Sequence, residues 1–86
     1  MASTGFSSLA IETRIDARGL KCPLPVLKLE KALSRAAQGQ AFTVLATDPM
    51  ARIDIPLHCR QHGHACRLDE ADGVLTFSII AGGERP

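Results

Sequence analysis

The apolar residues change their spacing at Cys22-Pro23-Leu24-Pro25, and that change limits the folds open to the chain. Before it, Ile11, Thr13, Ile15 and Ala17 alternate with Glu12, Arg14 and Asp16, the period of a half-buried strand. After it, Val26, Leu29, Leu33 and Ala36/Ala37 form a stripe, with Lys28, Lys31 and Arg35 on the opposite side, the period of a helix. Pro23 and Pro25 agree with a helix that starts at Cys22 or Pro23, because first-turn amides have no intrahelical acceptor to lose. The spacing predicts a helix to about Ala37, with Gly39 ending it.

Ala41–Thr47 reads as a second strand, with Phe42, Val44 and Ala46 on one face. Strand, helix and strand in this span predict a right-handed βαβ unit with two parallel strands. Asp48-Pro49 breaks the second strand. A second helix is expected from about Asp54 to His62, with Asp54 as its N-cap, Pro56 in its first turn and Gly63 closing it. His64–Leu68, a turn at Asp72-Gly73 and Val74–Ala81 complete the pattern. In the last strand Leu75, Phe77 and Ile79 share one face, while Thr76 and Ser78 place the other face toward water. The fold class is therefore α/β (α+β): a βαβαββ two-layer sandwich, with two helices on one face of a four-stranded mixed sheet. One domain is expected over residues 9–81, with a tail at 1–8 and another at 82–86. A core of this size leaves no room for a large substrate chamber, so any site should be shallow.

Ten Lys plus Arg against nine Asp plus Glu give a net charge of +1, which lacks the basic excess of a nucleic-acid binder. Three Phe, no Tyr and no Trp leave few platforms for stacking bases. No window approaches the roughly 20 apolar residues of a membrane span. Residues 1–8 have neither a positive region nor a long apolar run, so no secretory signal is read there. Three cysteines, Cys22, Cys59 and Cys66, are an odd number and fit free thiols in a reducing cytoplasm better than a disulfide framework.

Cys22 stands out among them. A helix start places free amide hydrogens and the positive end of the helix dipole beside it, and Arg18, Lys21 and Lys28 add positive charge. Both effects are expected to lower the thiol pKa, and the thiolate is the nucleophile. Pro23 and Pro25 stiffen the turn and direct the sulfur. The two parallel strands end on one sheet edge, so Cys22 and the Thr47-Asp48 loop should be neighbours in a crevice of the kind that binds ligands. Asp48 reads equally as a simple turn residue and as a positioning residue for the loop or a partner. As an anion it would raise the thiol pKa if it came close.

Asp16-Ala17-Arg18-Gly19-Leu20-Lys21-Cys22-Pro23-Leu24-Pro25 resembles the signature of TusA/SirA-like sulfur carriers, whose Cys-Pro-x-Pro motif opens the first helix. The resemblance continues through Asp48-Pro49 and Asp54-Ile55-Pro56 and covers about Ile11 to Ile80. It implies a two-layer sandwich similar to the C-terminal domain of translation initiation factor three. It also implies that the motif cysteine, here Cys22, accepts sulfane sulfur as a persulfide and passes it on. Relatives take sulfur from a cysteine desulfurase or a rhodanese and hand it to an acceptor protein in a relay. Such relays serve tRNA thiolation, molybdenum-cofactor synthesis or sulfur oxidation. No resident cofactor and no metal are implied, nor direct contact with nucleic acid or membrane.

The remaining candidates have plainer readings. Cys59 is expected to pack within the second helix, and Cys66, in phase with Leu68, to face the core. Neither forms a Cys-x-x-Cys pair with Cys22, which disfavours a dithiol oxidoreductase. His58, Cys59, His62, His64 and Cys66 are dense, but their spacing matches no familiar zinc motif. Gly82-Gly83 is followed by Glu84-Arg85-Pro86, so a C-terminal glycine thiocarboxylate is not available without processing. The rival functions are a non-catalytic interaction or regulatory module and a small metal-binding protein.

Overall fold

The structure, a computed structural model, describes residues 13–82. The expected tails at 1–8 and beyond Gly82, and the strand positions Ile11 and Glu12, lie outside the described residues. Six elements follow one another: β1 (Thr13–Ala17), α1 (Leu24–Leu33), β2 (Ala41–Ala46), α2 (Ala51–Gln61), β3 (Ala65–Ala71) and β4 (Val74–Ile80). The sheet order is β1-β2-β4-β3. β1 and β2 are parallel, with Ile15 opposite Val44, while β4 runs antiparallel to both β2 and β3. This is the βαβαββ mixed sheet that the alternation and helix periods predict.

Alternation builds the core. Ile15 and Ala17, Phe42, Val44 and Ala46, and Leu75, Phe77 and Ile79 all lie in register on the face that the helices cover. Leu29 of α1 and Ala51, Ile55 and Cys59 of α2 close over them. Cys66 and Leu68 share that face and are half-buried against the cluster. On the opposite face Arg14, Asp16, Arg67, Asp69 and Ser78 are exposed, as period-two strands with one wet side require. The β3–β4 hairpin turns through Asp72 and Gly73, both at positive φ (51° and 80°), the arrangement a tight Asp-Gly hairpin turn needs.

Both helices depart from their expected limits. α1 ends at Leu33 rather than near Ala37. The Ser34 hydroxyl donates to the Lys31 carbonyl (2.7 Å), and the next amides, Arg35 and Ala36, reach back only three residues, to Ala32 and Leu33. A serine that competes for backbone carbonyls loosens the last turn. Gly39, at φ +87°, instead serves the turn into β2, where its amide donates to the Ala81 carbonyl (2.8 Å). α2 begins at Ala51, three residues before the expected Asp54, so Pro56 lies inside it. Asp48 shapes the approach to it: its Oδ1 accepts the Met50 amide (3.1 Å), a turn that leads through Pro49 to the N-cap Met50.

Gly82, expected in the tail, is held. Its amide donates to His64 Nδ1 (2.8 Å), and a Cβ there would run into the Gly63 carbonyl oxygen, which is backbone and cannot swing aside. Gly82→Ala is expected to cost roughly 1–3 kcal/mol, as overpacking against fixed atoms does. The check is a fall in the urea midpoint at unchanged slope; an unchanged midpoint would mean that the chain after β4 shifts freely.

Candidate functional site

β1 and β2 end on the same sheet edge, and the connections that leave them meet there. The Gly19 amide donates to Thr47 Oγ1 (2.9 Å), and the Cys22 amide donates to Asp48 Oδ2 (2.5 Å). The expected proximity of Cys22 to the Thr47-Asp48 loop is therefore realised through hydrogen bonds. A shallow groove of about 280 Å³ runs beside it, lined by Gly19, Leu20, Lys21, Thr47, Asp48 and Pro49. Cys22 is exposed, and α1 opens two residues later, with Pro23 at its N-cap and Pro25 buried beneath its first turn. The Cys22–Pro23 peptide bond is cis.

Asp48 combines both of its sequence readings. One carboxylate oxygen holds the Met50 amide just before α2 and the other fixes the backbone of Cys22, so a single side chain locks the loop to the cysteine. These two amides hold its carboxyl below the usual range, with Lys21 adding a smaller effect in the same direction.

The thiol itself has a partner that the sequence reading missed. Its S–H donates to Asp54 Oδ2 (2.8 Å), across from α1 to the first turn of α2. Asp54 is thus no N-cap. Its place follows from the earlier helix start: with Ala51 as the first helical residue, Asp54 comes round onto the side that faces α1. The Asp54-Ile55-Pro56 segment carried the signal, but Pro56 drew the expected helix start three residues too late.

The expectation of a lowered thiol pKa is overturned. The Cys22 pKa is raised, first by the hydrogen bond to Asp54, then by partial desolvation and by the negative charges of Asp54 and Asp48. The helix start offers little to offset this. Pro23 and Pro25 carry no N–H, Leu24 donates to the Lys21 carbonyl (2.8 Å), and Leu27 donates to the Pro23 carbonyl (3.1 Å). Nor do the expected cations act on the sulfur. Arg18 forks onto Asp16 through Nε (2.9 Å) and Nη2 (2.8 Å), which holds the Asp16 carboxyl well below its usual range. Lys21 is exposed, and its charge acts on Asp48.

The other cysteines separate from this site. Cys59 is buried at 1% exposure, and burial pushes its thiol up to about 12. Cys66 is half-buried and likewise raised by burial. The His58 and His62 rings lie 4.4 Å apart at the end of α2, while His64 Nδ1 is occupied by the Gly82 amide. Among the described residues no three His, Cys, Asp or Glu side chains are placed to hold a metal ion.

Cys22 is thus exposed at the head of α1 and tied by two carboxylates to the head of α2. The Sulfurtransferase TusA family model matches residues 13–80, the whole sheet and both helices. The chain belongs to the TusA family. It is 51% identical over 67 residues to a candidate sulfur carrier protein of Neisseria meningitidis serogroup A, covering 76% of this chain and 89% of that one. It is 41% identical over 74 residues to the sulfur carrier protein TusA of Pseudomonas putida F1, covering 86% and 88%. The crystal structure of a SirA-like protein from Desulfitobacterium hafniense superposes with a TM-score of 0.74 at 32% identity, over 84% of this chain and 99% of that one. Fold and family thus agree with the resemblance drawn from the Cys22 segment.

Proposed function

We propose that the chain is a sulfur carrier: Cys22 accepts a sulfane sulfur as a persulfide and passes it to an acceptor protein. The observation that carries this reading is the exposed Cys22 thiol, oriented by Asp54 at the shared edge of a TusA-family fold. Donors of the cysteine desulfurase or rhodanese class fit this chemistry, and a reducing cytoplasm suits three cysteines that are all free. No described helix is long and apolar enough to cross a membrane.

The chemistry follows from the contacts. At rest the sulfur holds its proton against Asp54 Oδ2. As Cys22 Sγ attacks the outer sulfur of a donor persulfide, that proton moves to the Asp54 carboxylate. The donor's S–S bond breaks, and its inner sulfur leaves as a thiolate, as in thiol–disulfide exchange. Cys22 then bears the persulfide, and the reverse geometry delivers it to the acceptor. Asp48 keeps the Cys22 backbone in place throughout, and Pro23 and Pro25 restrict the turn that aims the sulfur. Lys21 stands by Asp48, and Arg18, paired with Asp16, shapes the connection before it.

Intact-mass measurement after incubation with a desulfurase and cysteine, or with a rhodanese and thiosulfate, tests the reading. Wild type is expected to gain one sulfur atom and Cys22→Ala none, because Cys59 is sealed in the core and held protonated. No gain by wild type, or an equal gain by Cys22→Ala, would end the proposal.

A further inference from the structure

Among the described residues six large apolar side chains are exposed: Leu24, Leu27, Met50, Ile53, Leu57 and Ile80. Five of the six belong to α1, to α2 or to the residue before α2. The helices run parallel, since each follows a parallel strand of the same sheet edge, and their N-terminal halves flank Cys22. Helical phase explains the exposure. α2 buries Ala51, Ile55 and Cys59, so Ile53 (58% exposed) and Leu57 (46%) fall on its outer side. α1 buries Pro25 and Leu29, which turns Leu27 (48%) outward in the same way. Apolar side chains gathered on one face beside a reactive group mark a place where another surface sits.

A second feature adjoins this patch. Leu24, Lys28 and Lys31 recur at spacings of four and three along α1, so they form one stripe, which starts beside Cys22, and Arg35 follows in the turn after the helix. The stripe faces the edge strand β1 across a groove of about 350 Å³, whose charged lining is Arg14, Asp16, Lys28, Lys31 and Arg35. Asp16 is taken by Arg18. Arg14, Lys28, Lys31 and Arg35 form no ion pair among the described residues. Four cations that make no ion pair with a described residue therefore line one groove in a chain whose net charge is only +1. Carboxylates brought by a partner would relieve their mutual repulsion.

We infer that this surface docks a protein whose apolar contact covers Leu27, Ile53 and Leu57 while an acidic segment lies in the groove along α1, bringing the partner's sulfur to Cys22. The inference rests on the carrier reading and names the surface that serves it. A nucleic acid fits less well: the patch beside the cations is aliphatic, and Phe42 and Phe77 are buried in the core rather than free to stack on bases.

The test compares the full chain with Ile53→Asp/Leu57→Asp and with Lys28→Glu/Lys31→Glu. Thermal melting checks that these exposed substitutions leave the fold intact. With the desulfurase or rhodanese as donor, kcat/KM for sulfur transfer is expected to fall at least about tenfold in both double variants. Loading of Cys22 from inorganic polysulfide should match wild type. Raising salt should slow the wild type and hardly affect Lys28→Glu/Lys31→Glu. Calorimetric binding of each donor to Cys22→Ala, with and without the surface changes, reads docking apart from sulfur transfer. Weaker binding in the surface variants supports the surface even if wild-type Cys22 gains no sulfur, the result that would sink the carrier reading alone. Wild-type transfer and binding by both variants would overturn the inference, as would a loss equally large with polysulfide. It is also overturned if Lys28→Glu/Lys31→Glu loses binding to a tRNA, read by fluorescence anisotropy, while protein-to-protein transfer is unchanged.

Discussion

Asp54→Asn is expected to lower the Cys22 pKa and to speed alkylation of that thiol several-fold at pH 7.5. The carboxylate is the first cause of the raised thiol pKa, because it accepts the S–H hydrogen bond and repels the thiolate. Asparagine keeps the size and removes the charge, so more of the sulfur is ionised at a given pH and the pH–rate curve moves toward lower pH. Sulfur transfer from a protein donor should move the other way near neutral pH, because the proton acceptor at Asp54 Oδ2 has gone. Opposite changes in the two rates distinguish a group that handles the proton from one that merely supports the loop. A pH profile identical to wild type would show that Asp54 does not control the thiol. Asp48→Asn makes a useful comparison. Asp48 also raises the Cys22 pKa, but as the last of its causes, and its main role is to hold the Cys22 and Met50 amides.

Phe77→Ala is expected to cost about 3–5 kcal/mol, the usual range for emptying a buried aromatic position. Phe77 is fully buried on β4, opposite Val44 of β2 and Leu68 of β3, so its ring bridges the centre of the sheet beneath the helices. A domain this small has only about 5–15 kcal/mol of net stability at most, so the variant should lie near its unfolding midpoint without denaturant. Urea unfolding followed by circular dichroism would measure the loss. Phe77→Leu, which refills most of the space, should recover much of it. A cost under about 1 kcal/mol for the alanine variant would mean that the core can collapse around the gap.

The strands were legible because their alternation comes directly from side chains pointing to opposite faces, and every core position expected on β2 and β4 is buried. The pairing of Cys22 with the Asp48 loop was also legible, since parallel strands joined by a helix must end on one edge. Helix ends were harder. Proline costs least in a first turn, which predicts that place for Pro56, yet α2 holds it in its interior and begins at Ala51, after the turn that Asp48 makes with the Met50 amide. That displacement by three residues hid the role of Asp54, because only the correct helical phase turns it toward α1. The sign of the thiol shift was missed for a related reason. Helix starts usually favour anions through their free amides, but here the prolines that mark the start lack those amides, and two acidic side chains occupy the surroundings. Long-range electrostatics of this kind depends on tertiary neighbours that no local pattern records.

The S–H···O contact between Cys22 and Asp54 has a consequence for the idle protein. Peroxides attack a cysteine through its ionised form, and successive attack ends in sulfinic and sulfonic acids that cannot carry anything. A carrier that waits with its sulfur un-ionised is a poor target for them, although it sits in the open. The same carboxylate that readies Cys22 for a partner therefore shields it between encounters, and durability comes from chemistry rather than from burial.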